Sequence, residues 1–443
     1  MRTASANQDR GTIRQVFLQG LAAAFFIHAS ATLLTTTTAR AQASEPDIKA
    51  VAKTYADIAE AIYSDTLKGA KELQKTVDAL IAKPSPATLE TARTAWLAVR
   101  VPYQQSEVYR FGNAIVDEWE GKVNAWPLDE GLIDYVDAGY GKESEENALY
   151  AANVIANTSI RINGETVDTS KITKSLLEDT LQEAGGIEAN VATGFHAVEF
   201  LLWGQDLNGT GAGAGARPAT DFNPDNCTNG ACDRRAAYLK TATDLLVEDI
   251  AWMAAQWGEK GDARIAIMFA DRPTILRNIF TGIGSLSYGE LAGERMKLGL
   301  LLHDPEEEHD CFADNTHNSH YYNALGIQNV YLGRYTRTDG TKVAGPSVSD
   351  IVQARGPDAN KALTAAVAET MKRMTVLKTR GDTVERYDQM IAEGNAAGNR
   401  VVQDAIDGLL AQTRAIQRAV TAVDAKDVTI VGSESLDGPA AQQ

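Results

Sequence analysis

Apolar residues recur along most of the chain at alternating spacings of three and four. The first stripe comprises Ile48, Val51, Tyr55, Ile58 and Ile62. Because an α-helix has 3.6 residues per turn, this spacing places all of them on one helical face. Three later stripes follow the same rule: Leu239, Leu246, Ile250, Met253 and Trp257; Leu363, Val367, Met371 and Met374; and Val402, Ile406, Leu409, Thr413, Ile416 and Val420. The pattern predicts an all-α fold.

Prolines and polar segments separate the predicted helices. Pro84 and Pro86 end the first helical region, and a second run covers about 87–111. Further helices are expected from near Ile187 and over about 273–302. Residues 207–232 are rich in Gly, Asn, Pro and Asp, without an apolar period, which is typical of a linker or long surface loop.

The order of helices and loops repeats in the second half of the chain. The segment from Gly194, GFHAVEF, resembles the segment from Gly326, GIQNVYL, in which Gln328 and Tyr331 replace the His and Glu. This indicates an internal duplication and two four-helix-bundle-like domains. The predicted division is an N-terminal helical domain over 42–206, the linker 207–232, a C-terminal helical domain over 233–430 and a flexible tail over 431–443.

The first 41 residues have the pattern of a cleaved secretory signal peptide. A basic start precedes a short apolar core, and Ala39-Arg40-Ala41 is a small-x-small cleavage site. The core is shorter than the roughly 20 residues needed to span a membrane. We therefore expect export to the periplasm or cell envelope, with cleavage after Ala41.

The predicted mature chain is strongly acidic. The whole chain has a net charge of −17, and the first 41 residues contribute four Arg and one Asp, so the remainder carries −17 − 3 = −20. A surface of this charge repels nucleic acid and anionic membranes, which excludes nucleic acid as a partner. It is compatible with cations.

The chain contains three cysteines. Cys227 and Cys232 lie in CTNGAC, and in an oxidising compartment they are expected to form a small-loop disulfide. Such a short closed loop would stabilise the fold by roughly 2 kcal/mol in the chain-entropy model. A metal clip is the alternative. Cys311 is then left as a free thiol.

The stretch GFHAVEFLLWGQD places two polar side chains in apolar surroundings. His196 and Glu199 are three residues apart, so they share one helical face. Burying such groups costs free energy unless they have partners. A metal-ligand pair is one interpretation, and a His and Glu satisfied by their neighbours is the other.

Two further segments supply candidate site residues. SEVYRF contains Ser106, Glu107 and Arg110, with the last two one turn apart, and WPLDE contains Trp126 and Asp129. The alternatives are surface ion pairs for the first segment and a helix cap or turn for Asp129.

An acidic loop holds most of the histidines. HDPEEEHDCFADNTHNSH contains His303, His309, His317 and His320 among carboxylates. Mixed imidazole and carboxylate ligands suit transition metals, but the same composition is also typical of a solvated acidic loop.

Several blocks together resemble the imelysin family, also called insulin-cleaving membrane protease or iron-regulated protein A. They are GFHAVEFLLWGQD, which matches the family's GxHxxE motif, NAWPLDEGLIDYV, WLAVRVPYQQSEVYRF, and HDCFADNTH with GIQNVYLG. The resemblance extends over nearly the whole mature chain. It implies two related helical domains with a site at their interface around Gly194, His196 and Glu199, a role in iron supply for many members, and a metallopeptidase label.

Three functions follow as expectations. The first is a periplasmic metal-binding protein of iron uptake, whose ligands are His196, Glu199, Glu107 and Asp129, with Gly194, Arg110, Trp126 and Ser106 lining the site. Its partners would be a metal ion or chelated iron and a membrane-associated uptake protein. The second is a zinc metallopeptidase that uses His196, Glu199 and His317. The third is a peptide- or small-ligand-binding protein without metal.

Overall fold

The computed structural model describes residues 44–438, and the predicted signal peptide lies outside the described residues. Most of this range is helical, as the apolar stripes predict, and its strands form two short antiparallel hairpins. Within it, no helix is both long enough and apolar enough to cross a membrane.

The first half of the chain is built on three long helices. In chain order it contains α1 (Ile48–Ala82), α2 (Pro86–Ser106), α3 (Ala114–Val123), α4 (Glu130–Ile133), the hairpin of β1 (Ser159–Ile162) and β2 (Glu165–Asp168), α5 (Gly194–Trp203) and α6 (Cys232–Trp257). Asp47 caps α1, and α2 starts with Pro86, where the missing N–H costs no hydrogen bond. Helix α1 packs against both α2 and α6.

The second half adds a further group of helices. It contains α7 (Asp262–Phe269), α8 (Arg272–Ser285), a π-helical segment (Leu286–Lys297), α9 (Leu298–Leu302), α10 (Thr316–Leu332), the hairpin of β3 (Arg334–Thr336) and β4 (Lys342–Ala344), α11 (Val348–Arg355), α12 (Pro357–Thr383), α13 (Tyr387–Ile391), α14 (Ala396–Ala422) and α15 (Glu434–Asp437). Helix α12 packs on α14, and α10 packs on both α2 and α12. The run predicted over 273–302 is helical, with π winding in its middle.

The buried apolar residues form two clusters. The larger includes Trp96 and Trp257 and joins α1, α2, α5 and α6, while the smaller includes Met374 and Leu409 and joins α12 and α14. Helix α10 contributes side chains to both clusters. The described residues fall in one compact unit, and the two-domain division and the internal duplication stay predictions.

One predicted helix start is wrong. The helix expected from Ile187 begins at Gly194. The Gln182 side chain accepts hydrogen bonds from the backbone N–H groups of Ala192 and Thr193, which keeps that segment out of a helix. Backbone donors satisfied in this way do not need an intrahelical partner.

The predicted linker is irregular but attached to the protein. A disulfide joins Cys227 to Cys232. Arg217 is buried and pairs with Asp134 at 2.7 Å and with Asp221 at 3.2 Å. These buried ion pairs fix part of the segment against the helices.

Candidate metal centre

Helix α5 presents His196 and Glu199 inside the protein. All ten residues of this helix are buried. The two side chains share one face, and His196 Nδ1 lies 3.0 Å from Glu199 Oε2. The other carboxylate oxygen, Oε1, accepts a hydrogen bond from the Ala313 backbone N–H at 3.0 Å. Glu199 is therefore fully partnered, whereas His196 Nε2 is buried without a hydrogen-bond partner among the described residues.

Gly194 allows α5 to start where it does. Its φ is +80°, which L side chains rarely adopt, and an added Cβ would lie 2.5 Å from the Val123 carbonyl oxygen. A glycine at this position therefore lets the first turn of α5 approach the end of α3 closely.

The acidic loop before α10 brings two more ligand-type side chains to this point. The ring centroids of His196 and His309 are 4.8 Å apart. His196, His309 and Asp310 each offer one ligand atom, and these three atoms lie within 4.8 Å of one another. All three residues are buried. Two imidazoles and one carboxylate form a donor set that suits transition metals such as iron and zinc.

A buried arginine balances the charge of Asp310. Arg100 Nη2 lies 2.5 Å from Asp310 Oδ1 and 3.3 Å from His309 Nδ1, and Arg100 Nη1 donates to Asn124 at 2.6 Å. Burial acts to raise the pKa of Asp310, but the Arg100 guanidinium and the nearby imidazoles hold it well below its usual range. Asp310 is therefore ionised, and its charge is already offset.

The histidines of the centre are neutral. Burial, together with the positive charge of Arg100, lowers the pKa of His196 to about 3. Burial and the charge of Arg295 lower the pKa of His309 well below its usual range. Burial and the negative charge of Asp310 raise the pKa of Glu199 well above its ordinary value. The His196–Glu199 hydrogen bond thus joins two neutral groups that share one proton.

Glu107 lies behind this centre. Its carboxylate binds Arg295, and it accepts a hydrogen bond from Asn124 Nδ2 at 2.7 Å. Asn124 Nδ2 also lies 3.4 Å from His309 Nε2. Glu107 is thus held by its own partners, one amide away from the imidazole, and is not part of the His196 group.

Arg110 and Ser106 have other partners. Arg110 pairs with Asp117 at 3.0 Å, with Glu290 at 3.4 Å and with Glu120 at 3.6 Å. Ser106 donates to the Tyr103 carbonyl at 2.6 Å. Glu120, the most distant of these partners of Arg110, is buried, and burial raises its pKa to about 7.

A cavity of about 380 Å³ opens beside His196. Trp126 and Asp129 line it, together with Glu130 and the free Cys311. Trp126 donates to the Glu308 carbonyl at 2.9 Å, and its ring contacts that of His309. Asp129 accepts a hydrogen bond from Asn147 at 2.5 Å. Two of the predicted site residues therefore line the space that leads to His196.

His317 lies elsewhere. Its Nε2 is 3.1 Å from Asp382 Oδ1, and its ring packs closely over Gly381. Burial lowers its pKa to about 4. Within the described range the second histidine of the metal-type group is His309, so the zinc set of His196, Glu199 and His317 is not assembled.

Sequence reasoning did not single out Arg100, Asn124 or Asp310, and it included His309 only as one histidine of the acidic loop. The sequence marks these residues only weakly. His309 and Asp310 stand next to Cys311 in the triplet HDC, and Arg100 is the one charged residue in the apolar segment WLAVRV. A buried arginine needs a buried anion, so Arg100 could have been paired with a carboxylate of the acidic loop.

Comparisons with known proteins agree on one family. The sequence model described as Imelysin matches residues 59–416. Iron-regulated protein A of Synechococcus elongatus is 34% identical over 71 residues, which cover 16% of this chain and 20% of that protein. The match thus spans about a fifth of the length of that relative. A crystal structure of a protein designated an iron-regulated protein A precursor, from Parabacteroides distasonis, has a TM-score of 0.59 at 18% identity and covers 86% of this chain and 96% of its own. This likeness shows a shared fold.

Proposed function

Because the chain belongs to the imelysin family, we propose that it is an exported metal-binding protein that acts in bacterial iron uptake. His196, His309 and Asp310 would hold the metal as cargo, with Glu199 orienting His196. The name of its Synechococcus relative supports the link to iron.

One observation carries this proposal: His196 Nε2 is buried without a partner within the described chain. An imidazole nitrogen in this state loses the hydrogen bonds that water would supply. His309 and Asp310 each offer a ligand atom within 4.8 Å of one on His196. A cation bound among these residues would satisfy the orphaned nitrogen.

Glu199 explains how a site beside Arg100 could accept a positive ion. Arg100 already offsets the charge of Asp310, so a further negative charge has to come from elsewhere. If the imidazole loses its proton from Nε2 and the shared proton moves to Nδ1, Glu199 becomes a carboxylate and Nε2 carries a free lone pair. This is the carboxylate–histidine arrangement found behind metal ligands. Release of the proton from the pair would accompany binding.

Asp310 would offer Oδ1 to the metal. Its Oδ2 accepts hydrogen bonds from Asn315 at 2.8 Å and from Ser319. Its Oδ1 faces Arg100 at 2.5 Å and His309 at 3.3 Å. These contacts occupy the roughly four lone-pair positions of the carboxylate, so a ligand bond from Oδ1 would replace its longer contact, the one with His309.

The cavity beside His196 is large enough for either of two forms of cargo, the bare iron ion or chelated iron. Its volume of about 380 Å³ is within the range of small-ligand sites. Chelated iron would therefore fit, as well as the bare ion. The membrane-associated partner of such a protein stays a prediction.

A zinc metallopeptidase is the second candidate, because a suitable base lines the same cavity. Glu130 is part of the cavity wall with His196. Burial, together with the charge of Glu306, raises its pKa to about 7, which suits a general base. Peptide hydrolysis that is lost with a chelator and in Glu130→Gln would favour this function.

Anaerobic titration of the chain with Fe(II), followed by calorimetry, tests the first proposal. We expect saturable binding, weakened at least tenfold in His196→Asn. His303→Asn is the matched control, since His303 is partly exposed and bonds the Ile391 carbonyl. Equal iron binding by His196→Asn and the parent would overturn the proposed site. A small organic ligand bound without metal would instead support the ligand-binding function.

A further inference from the structure

A second group of carboxylates lies beside the metal centre, in a place the proposed function does not use. Glu308 and Asp314 come from the acidic loop before α10, and Asp388 comes from α13. All three are buried, with exposures of 1%, 6% and 2%. We call this group the acidic chamber.

Two of the three side chains share a cavity, and the third lies near them. Glu308 and Asp388 line one small cavity, together with Asp206 from the segment after α5. Asp314 interacts electrostatically with both Glu308 and Asp388. Burial raises the pKa of Asp314 to about 7, and the charge of Asp388 adds to the effect. Burial likewise raises the pKa of Asp388 to about 7, with Asp206 contributing.

Their oxygens lack partners. In the part of the chain that is described, both carboxylate oxygens of Glu308, both of Asp388 and Oδ1 of Asp314 are buried without a hydrogen bond. The Thr316 hydroxyl faces Glu308 but lies outside hydrogen-bonding geometry. The Arg386 guanidinium lowers the pKa of Asp314, yet it donates to the Gly381 carbonyl. Buried carboxylates without partners are costly, so something outside the protein chain is expected to satisfy them.

A neutral side chain lies near Glu308. The Tyr387 hydroxyl is fully buried, has no partner in the described structure, and feels the charge of Glu308. Its oxygen is an additional donor that does not belong to the acidic group. The unpartnered oxygens of Glu308 and Asp388 therefore belong to one enclosed space, and Asp314 and Tyr387 add unpartnered oxygens close to it.

We propose that the acidic chamber is a binding site for a hard divalent cation of the calcium type, held by Glu308, Asp314 and Asp388. All three proposed ligands offer only oxygen, which favours hard cations over the transition metals that suit His196 and His309. The space measures about 10 Å³, enough for about one water-sized particle. Mg²⁺ usually keeps several waters, whereas Ca²⁺ accepts an irregular set of protein oxygens.

The donor oxygens of the chamber lie further apart than the ligand atoms of the neighbouring metal centre. Among the described residues only the His196 group has its ligand atoms within 4.8 Å. The acidic chamber would therefore close by side-chain rotation when the cation enters. Closure would tie the acidic loop to α13, and this loop carries His309 and Asp310. The cation would thus fix the loop that completes the neighbouring metal centre.

Calcium titration of the full chain, freed of metal with a chelator, tests this proposal. We expect one calcium-specific site, weakened at least tenfold in Asp388→Asn and in Glu308→Gln. Asp427→Asn is the matched control, because Asp427 is exposed and its φ of +55° is well tolerated by Asn. Weak binding of calcium to the acidic surface should be equal in the parent, the two chamber variants and Asp427→Asn.

Thermal unfolding supplies a second readout. Calcium should raise the midpoint of the parent and of Asp427→Asn but not that of Asp388→Asn. Without calcium, Asp388→Asn should be at least as stable as the parent, since it removes a like charge from the chamber. Unchanged calcium binding in both chamber variants, or no saturable binding by the parent at millimolar calcium, would overturn the proposal. His196→Asn should still bind calcium, so failure of the iron site and failure of this site are distinguishable.

Discussion

His196 Nδ1 lies 3.0 Å from Glu199 Oε2, while the opposite ring nitrogen is buried without a partner in the described range. The hydrogen bond fixes the orientation of the ring, whose edge-to-face contact with His309 has a centroid distance of 4.8 Å. This relationship gives the HxxE spacing a physical role. The glutamate is the hydrogen-bond partner of the histidine, and its predicted role as a metal ligand stays a prediction.

Glu199→Gln should therefore weaken metal binding without removing the imidazole. Loss of a carboxylate behind a ligand histidine typically reduces metal affinity about 10–100-fold. The variant should also release less than one proton per metal, which calorimetry in buffers of different ionisation enthalpy measures. Glu188→Gln, at an exposed glutamate, is the control. Parent-like affinity and proton release in Glu199→Gln would show that the pair does not act as described.

Arg100 should be needed for folding as well as for the site. Arg100→Met leaves Asp310 as a buried charge without its partner, which typically costs about 3–5 kcal/mol in the free energy of unfolding. Adding Asp310→Asn should recover part of the loss. Arg373→Met, at the partly exposed pair with Glu369, should cost about 1 kcal/mol or less. Denaturant unfolding measures all of them, and equal losses at the two arginines would argue against a buried ion pair.

Gly194→Ala should destabilise the chain by at least about 3 kcal/mol, because the left-handed backbone and the clash with Val123 add together. Gly164→Ala separates the two effects. Gly164 has a similar φ of +85° but no atom within 4 Å of the added Cβ, so its cost should be about 1–2 kcal/mol. Chemical denaturation of both variants measures the difference. If the two costs are equal, the close approach of α5 to α3 is not tight.

Stability should fall in acid because buried histidines stay neutral in the fold. Burial and the charge of Arg295 lower the pKa of His320 to about 3, whereas an unfolded histidine takes a proton near pH 6.5. The unfolded chain therefore binds more protons between these values, so the free energy of unfolding decreases as pH falls through this window. His320→Phe should reduce this slope by about 1.4 kcal/mol per pH unit between about pH 4 and pH 6. If the free energy of unfolding of His320→Phe changes with pH as steeply as that of the parent and of His303→Asn, His320 is not the buried neutral histidine described.

The apolar periodicity was sufficient to predict the helices, because burial of one face determines where α1, α6 and α14 form. It could not predict that α5 would begin only at Gly194, since the backbone N–H groups of Ala192 and Thr193 bind the Gln182 side chain, ten and eleven residues away. The spacing of His196 and Glu199 predicted their contact. It could not predict that His309 would be the second histidine, because the acidic loop meets α5 only through the tertiary fold. Likewise, the capture of Glu107 by Arg295 joins residues 188 positions apart.

Iron is expected to bind at His196 Nε2. Anomalous diffraction at the iron edge, from crystals of the chain grown or soaked with Fe(II) under anaerobic conditions, tests it most directly. We predict one strong peak within bonding distance of His196 Nε2 and beside His309 and Asp310, absent from crystals of His196→Asn. A peak bound only elsewhere, or a peak that persists in His196→Asn, would contradict the claim.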